Sequence, residues 1–214
     1  MNGRLKEYFE SNIITSEEKI LENISIEWIA EIYKNAKLIN RHTEADRIFS
    51  EILTNCNEWW INETKNINPE EKLYCIFFEY DYIYSENLDA VAYGINIGDF
   101  RKLQLEPYDI GLSYDFASGF YACPGFTIKT FSPLSNLGID IWEETLLENG
   151  LPIAYTPEWE AIVKYYKNIT YSIVHNALEL FVKTDAFQKI NKHDSFQLLI
   201  QEHDMGESQP VYFV

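Results

Sequence analysis

Leu73-Tyr74-Cys75-Ile76-Phe77-Phe78-Glu79-Tyr80-Asp81-Tyr82 is a near-continuous apolar run rich in aromatic side chains. A run of this length and composition reads as a β-strand. Side chains alternate between faces, so Tyr74, Ile76, Phe78, Tyr80 and Tyr82 share one, and Leu73, Cys75, Phe77, Glu79 and Asp81 the other. Both faces are apolar over the first half. That is the pattern of a central strand covered on both sides, with the flanking helices packed on its sheet.

Upstream, the sequence is helical. Residues 4–11 read as a short helix or arm carrying Leu5, Tyr8 and Phe9. Thr15 with Glu18 has the form of a capping box, opening a helix to about Ile39 with Ile20, Leu21, Ile24, Trp28 and Ile32 at helical spacing; Ser25 offers a second cap within it. Thr43 with Asp46 has the form of another cap, for a helix to about Thr64 with Ile48, Phe49, Ile52, Cys56, Trp59 and Trp60 buried. The expectation is an N-terminal α-hairpin over residues 1–65.

Downstream, Ser85-Glu86-Asn87 is a turn and Ala90 to Ile95 an antiparallel neighbour. Residues 113–128 read as one or two short strands joined by a tight turn at Cys123-Pro124-Gly125, and 139–147 as a short helix. Thr156-Pro157-Glu158-Trp159 is a strong helix start, with an N-cap, proline at the first helical position and an acid at the positive dipole end. That helix runs on past Phe181, with Asn168 as a candidate break. Ser195 to Asp204 is a strand, and Val211 to Val214 closes a last hairpin or docks on the core. Helices, strands, a long helix and a final strand pair describe one α+β domain over 1–214, with a mainly antiparallel sheet and the 1–65 part packed on 72–214.

The chain has 214 residues, with 46% hydrophobic and 15% aromatic. That is ample for a core. Its 34 acidic and 17 basic residues give a net charge of −17. Such a surface repels nucleic-acid phosphates and anionic membranes and favours cationic partners. Cys56, Cys75 and Cys123 are widely spaced and odd in number, against a disulfide framework or a zinc knuckle. Met1 to Glu10 lacks a signal peptide's basic start and apolar run. The expectation is a cytoplasmic protein.

Standard phosphate loops are absent: Gly94-Ile95-Asn96-Ile97-Gly98 is only a spaced glycine pair. No nucleophile elbow is present. Glu79 and Asp81, two apart on a strand, form a candidate carboxylate pair. Glu202, His203 and Asp204 are weak metal candidates, because alternation sends His203 to the opposite face from the two acids; no cofactor is indicated. The combined aromatic and acidic excess is more informative. Glu79, Asp81, Tyr82, Tyr84, Asp109, Tyr114 and Asp115 are the candidate residues for contact with a basic protein: rings supply contact area, and carboxylates receive Arg and Lys.

The strand Ile76-Phe77-Phe78-Glu79-Tyr80-Asp81 heads a recognisable order. Ala90-Val91-Ala92-Tyr93-Gly94-Ile95-Asn96, the Pro157-Glu158-Trp159 helix entry, the segment ending at Phe187, the strand Phe196-Gln197-Leu198-Leu199-Ile200 and the turn from Glu202 to Glu207 follow. Over residues 72–207 this resembles α+β families found among bacterial polymorphic-toxin immunity proteins, near the SUKH-type group. The Asn-Pro ending of those families is absent as such; Gln209-Pro210 stands near that point. The resemblance implies a non-enzymatic binder of a cognate basic toxin and carries no catalytic residues. Two alternatives stand beside it: a metal-dependent or carboxylate-based hydrolase using Glu79, Asp81, Glu202, His203 or Asp204, and a homo-oligomeric structural or regulatory protein.

Overall fold

The structure is a computed structural model that describes residues 1–23, 27–62, 72–96, 103–110, 120–137, 150 and 152–214. Helices α1 (Asn2–Asn23), α2 (Glu27–Lys37) and α3 (Arg41–Asn55) precede strands β1 (Leu73–Tyr80), β2 (Asp89–Ile95) and β3 (Phe120–Thr127). A short α4 (Ser132–Ser135), the long α5 (Pro157–Phe181) and a short α6 (Asp185–Gln188) lead to β4 (Lys192–Glu202) and β5 (Gln209–Phe213). The fold is α+β. No helix among the described residues is long and apolar enough to cross a membrane.

The five strands run in the order β3-β2-β1-β4-β5. β1 is central, as its two apolar faces predict. Its pairing with β2 is antiparallel and with β4 parallel, and the outer pairs are antiparallel. Ile76, Phe78 and Tyr80 face the helices in one large core with Ala90, Ala92, Phe196, Leu198 and Ile200. On the opposite face, Cys75 and Phe77 join Tyr93, Ile95 and Leu199 in a smaller cluster, flanked by Ile110 from the 103–110 segment.

α5 is the helix that the others are built on. Thr156 caps it by accepting from the Trp159 N–H at 3.2 Å, with Pro157 in the first turn. The expected break at Asn168 does not occur: its side-chain amide donates to the Lys164 carbonyl one turn back at 2.7 Å, and the ladder continues. Tyr166 donates to the Ile32 carbonyl at 2.8 Å, tying α2 down. His175 is buried with Nδ1 2.8 Å from the Val211 carbonyl, and burial lowers its pKa, favouring the neutral ring.

Among the described residues, the N-terminal part contains three helices rather than a simple pair. Thr15 and Glu18 lie inside α1, where Leu5, Phe9, Ile13 and Ile20 keep one buried stripe past the apparent capping box. Packing on α5 outweighs the local capping option. α2 begins at Glu27, and the cap of α3 is Asn40, accepting from the Thr43 N–H at 3.1 Å. A π-turn over Cys56–Trp60 keeps Cys56 and Trp60 buried but turns Trp59, expected inside, outward.

Cys123-Pro124-Gly125 is also not a turn. It lies within β3, an edge strand with register shifts, where proline's missing N–H is tolerated. The edge is covered by α3 and its extension. Trp60 Nε1 donates to the Pro124 carbonyl at 2.9 Å, Asn55 to the Gly125 carbonyl at 2.8 Å, and Glu51 accepts from the Thr127 N–H at 2.8 Å. At the other edge, the Asn2 side chain both donates to the Phe213 carbonyl, at 2.8 Å, and accepts from its N–H, at 2.9 Å. Side chains thus satisfy exposed edge groups that would otherwise template further strand pairing.

Candidate functional site

Parallel strands end on the same side of a sheet. The register aligns Glu79 with Gln201 and Tyr80 with Glu202. The C-terminal ends of β1 and β4 therefore meet, and two groups of candidate residues far apart in sequence come together.

On the face away from the helices, His203 lies between two acids. Its Nδ1 is 3.2 Å from Glu79 Oε1 and its Nε2 3.4 Å from Asp204 Oδ2. Tyr93, from β2, donates to Glu79 Oε2 at 3.3 Å. The Glu79 hydrogen bond, with Glu79 and Asp204 charge, raises the His203 pKa above its ordinary 6.5. Asp204 reaches this position through a left-handed backbone, φ 60°, at the start of a turn completed by Gly206.

Glu202 points the other way, toward the helices. Its Oε2 pairs with Lys167 of α5 and its Oε1 accepts from the Ile83 N–H at 3.2 Å. The two side chains are 7% and 20% exposed. Glu202, His203 and Asp204 therefore do not converge, and no group of His, Cys, Asp and Glu suited to a metal ion occurs among the described residues.

Asp81 does not extend β1 to make a carboxylate pair with Glu79. The strand ends at Tyr80, and Asp81 closes the following turn, accepting from the Tyr82 N–H and from Ser85 Oγ, both at 2.8 Å. Ile83 is buried beneath that turn and held by Glu202. Tyr82 and Tyr84 stack with ring centroids 5.5 Å apart and planes within 5°. Tyr82 is 37% exposed, and Tyr84 is half-buried against the core. Glu79, Asp81, Tyr82 and Tyr84 thus share one end of the sheet with His203 and Asp204. Asp109 is exposed on a separate segment, beside Tyr108, which bridges Ser208 and donates to Gln197 at 2.8 Å. Tyr114 and Asp115 lie outside the described residues.

A second feature lies on the helix side. A groove of about 700 Å³ runs between α1 and α5 and is closed by the β4–β5 turn. Tyr8, Ser16 and Lys19 form one wall, Trp159, Lys164, Lys167 and Tyr171 another, and Glu202, Met205 and Glu207 a third. Behind it, the Tyr171 and Tyr80 hydroxyls are 3.1 Å apart. Burial pulls the Lys167 ammonium down, but Tyr171 and Glu202 outweigh it and hold the pKa above 10.5. Sequence reasoning missed Lys167. The available signal was a lysine on the stripe of Val163, Thr170 and Val174, where an apolar residue is the norm.

The thiols offer no nucleophile at this end of the sheet. All three cysteines are buried; burial pushes Cys56 up to about 12 and Cys75 well above its ordinary 9.0. Compared with known proteins, the chain matches no family model, no curated protein and no solved structure.

Proposed function

We propose that the chain is an acidic binding protein that neutralises a basic protein by occlusion, with the shared end of β1 and β4 and the Tyr82–Tyr84 turn as the contact face. One observation carries this reading: a stacked tyrosine pair, Tyr82 exposed and Tyr84 half-buried beneath it, on a turn fixed from below by Glu202 and sharing one end of the sheet with Glu79, Asp81 and Asp204. Rings held in place lose little conformational entropy on binding. Carboxylates around them suit Arg and Lys, and the net charge of −17 steers a cationic partner. The resemblance to immunity families narrows the partner to a basic toxin domain. The hydrolase alternative has less support, because Asp81 closes a turn, Glu202 pairs with Lys167, and the two carboxylates that do converge, Glu79 and Asp204, are both engaged by His203.

The test compares the tagged wild type with Tyr82→Ala/Glu86→Lys, which alters exposed positions, as bait in lysate of the native cell at low and high salt. A single basic protein, captured at low salt and depleted about tenfold or more by the variant or by high salt, supports the reading. Identical capture by bait and variant, or no captured protein at either salt, overturns it.

A further inference from the structure

We propose that the groove between α1 and α5 binds a small amphiphilic carboxylate, with its head on the lysines and its apolar body along Trp159, Val163 and Met205. This proposal is independent of the partner reading above.

The volume, about 700 Å³, is that of a small-molecule site. The lining joins apolar and aromatic surface, with Trp159, Val163 and Met205, to a larger number of polar side chains, six of them charged, and so is itself amphiphilic. Its charge differs from that of the chain. Acids outnumber bases 34 to 17 overall, whereas the groove has Lys19, Lys164 and Lys167 against Glu160, Glu202 and Glu207. The lysines are also gathered on the helix walls. Lys164 and Lys167 are three apart on α5 and therefore on one face. Lys164 donates to Glu160 at 2.5 Å, and Lys19 acts on that same carboxylate across from α1, so together they lower the Glu160 pKa. Lys164 thus holds Glu160 at the rim, with the Lys19 charge acting on it from α1, and the less exposed Lys167 stands inward of them.

Lys167 is the inner anchor. An ammonium has three N–H donors, and Glu202 is its hydrogen-bond acceptor here. The remaining donors belong to a group only 20% exposed, and the groove it lines is where an acceptor can reach them. The half-buried ammonium makes a carboxylate head worth more here than on an open surface, because charge-assisted hydrogen bonds strengthen as water is excluded. Of the two acids on the β4–β5 wall, Glu202 is paired with Lys167, and Glu207 repels a carboxylate from its own part of that wall, leaving the apolar tail to meet Met205.

The experiment is isothermal titration of the full chain with decanoate below its micellar range, beside decanol and decyltrimethylammonium. Saturable one-to-one binding of decanoate, about tenfold tighter than of decanol, is expected from a charge-assisted head contact. Lys167→Met/Glu202→Gln keeps an acceptor for the Ile83 N–H and is expected to weaken decanoate about tenfold without changing decanol. If circular dichroism shows that variant unfolded, Lys19→Gln/Lys164→Gln at exposed helical positions is read instead, with an expected loss of about threefold. Absence of saturable decanoate binding, equal or tighter binding of decanol or the cation, or unchanged decanoate affinity in the folded variant overturns the proposal.

Discussion

His203 shows how a residue of modest individual interest acquires a role from its neighbours. Each ring nitrogen faces a carboxylate, Glu79 at 3.2 Å and Asp204 at 3.4 Å. A neutral imidazole donates from one nitrogen only, whereas the imidazolium donates from both. The folded pKa is therefore raised above 6.5. The stabilisation from this site is fully present below the unfolded value and is lost as pH rises through the higher folded value. At 51% exposure the effect is solvent-screened and small in energy, but it is visible in titration. An NMR titration of the His203 ring is expected to show a midpoint above 6.5, shifted down in Glu79→Gln. A midpoint at or below 6.5, or one unmoved by Glu79→Gln, would contradict the two-carboxylate geometry.

Strand β3 illustrates the element scale. A proline and a glycine together suggest a turn, yet here they belong to an edge strand. Gly125 is required for a contact its own sequence does not reveal: a Cβ there would lie 2.5 Å from the Ala90 carbonyl oxygen and 3.4 Å from the Phe78 ring. The obstacle is backbone of the neighbouring strand, which cannot step aside as a flexible side chain does. Gly125→Ala is expected to lower stability by about 1–3 kcal/mol, the usual range for overpacking. Urea denaturation followed by circular dichroism measures it, and a variant as stable as wild type would refute the close approach. The same logic explains α1. Its stripe of Leu5, Phe9, Ile13 and Ile20 packs on α5, and that burial overrides a capping signal at Thr15.

For the molecule as a whole, charge is the dominant property. A net charge of −17 on a compact chain opposes folding through self-repulsion. Raising salt from about 0.01 M to about 0.1 M shortens the screening length from about 30 Å to about 10 Å. The thermal midpoint is therefore expected to rise by a few degrees over that range. Calorimetry measures this, and a midpoint that falls with salt would mean that attractive pairs such as Arg47 with Glu44 and Glu51 outweigh the repulsion.

Periodicity and composition account for one part of this molecule. The apolar run of β1 announces a central strand, Thr156-Pro157 announces α5, and the residue counts announce an acidic chain. These are local or additive properties, readable without knowing which segments meet. The rest depends on which segments meet in space. β1 and β4 are parallel neighbours separated by more than a hundred residues, so the meeting of Glu79 with His203 has no local signature. Alternation correctly separated Glu202 from His203, but it also placed Asp204 with Glu202, whereas the left-handed turn at Asp204 brings that acid to His203, and nothing local announces Lys167 of α5 on the helix side. Asp81 reads as a strand acid until the chain is seen to turn at Tyr80. The physical reason is common to all three: an ionised side chain takes its role from the charge nearest in space, and spatial proximity is set by strand pairing and helix packing over the whole chain.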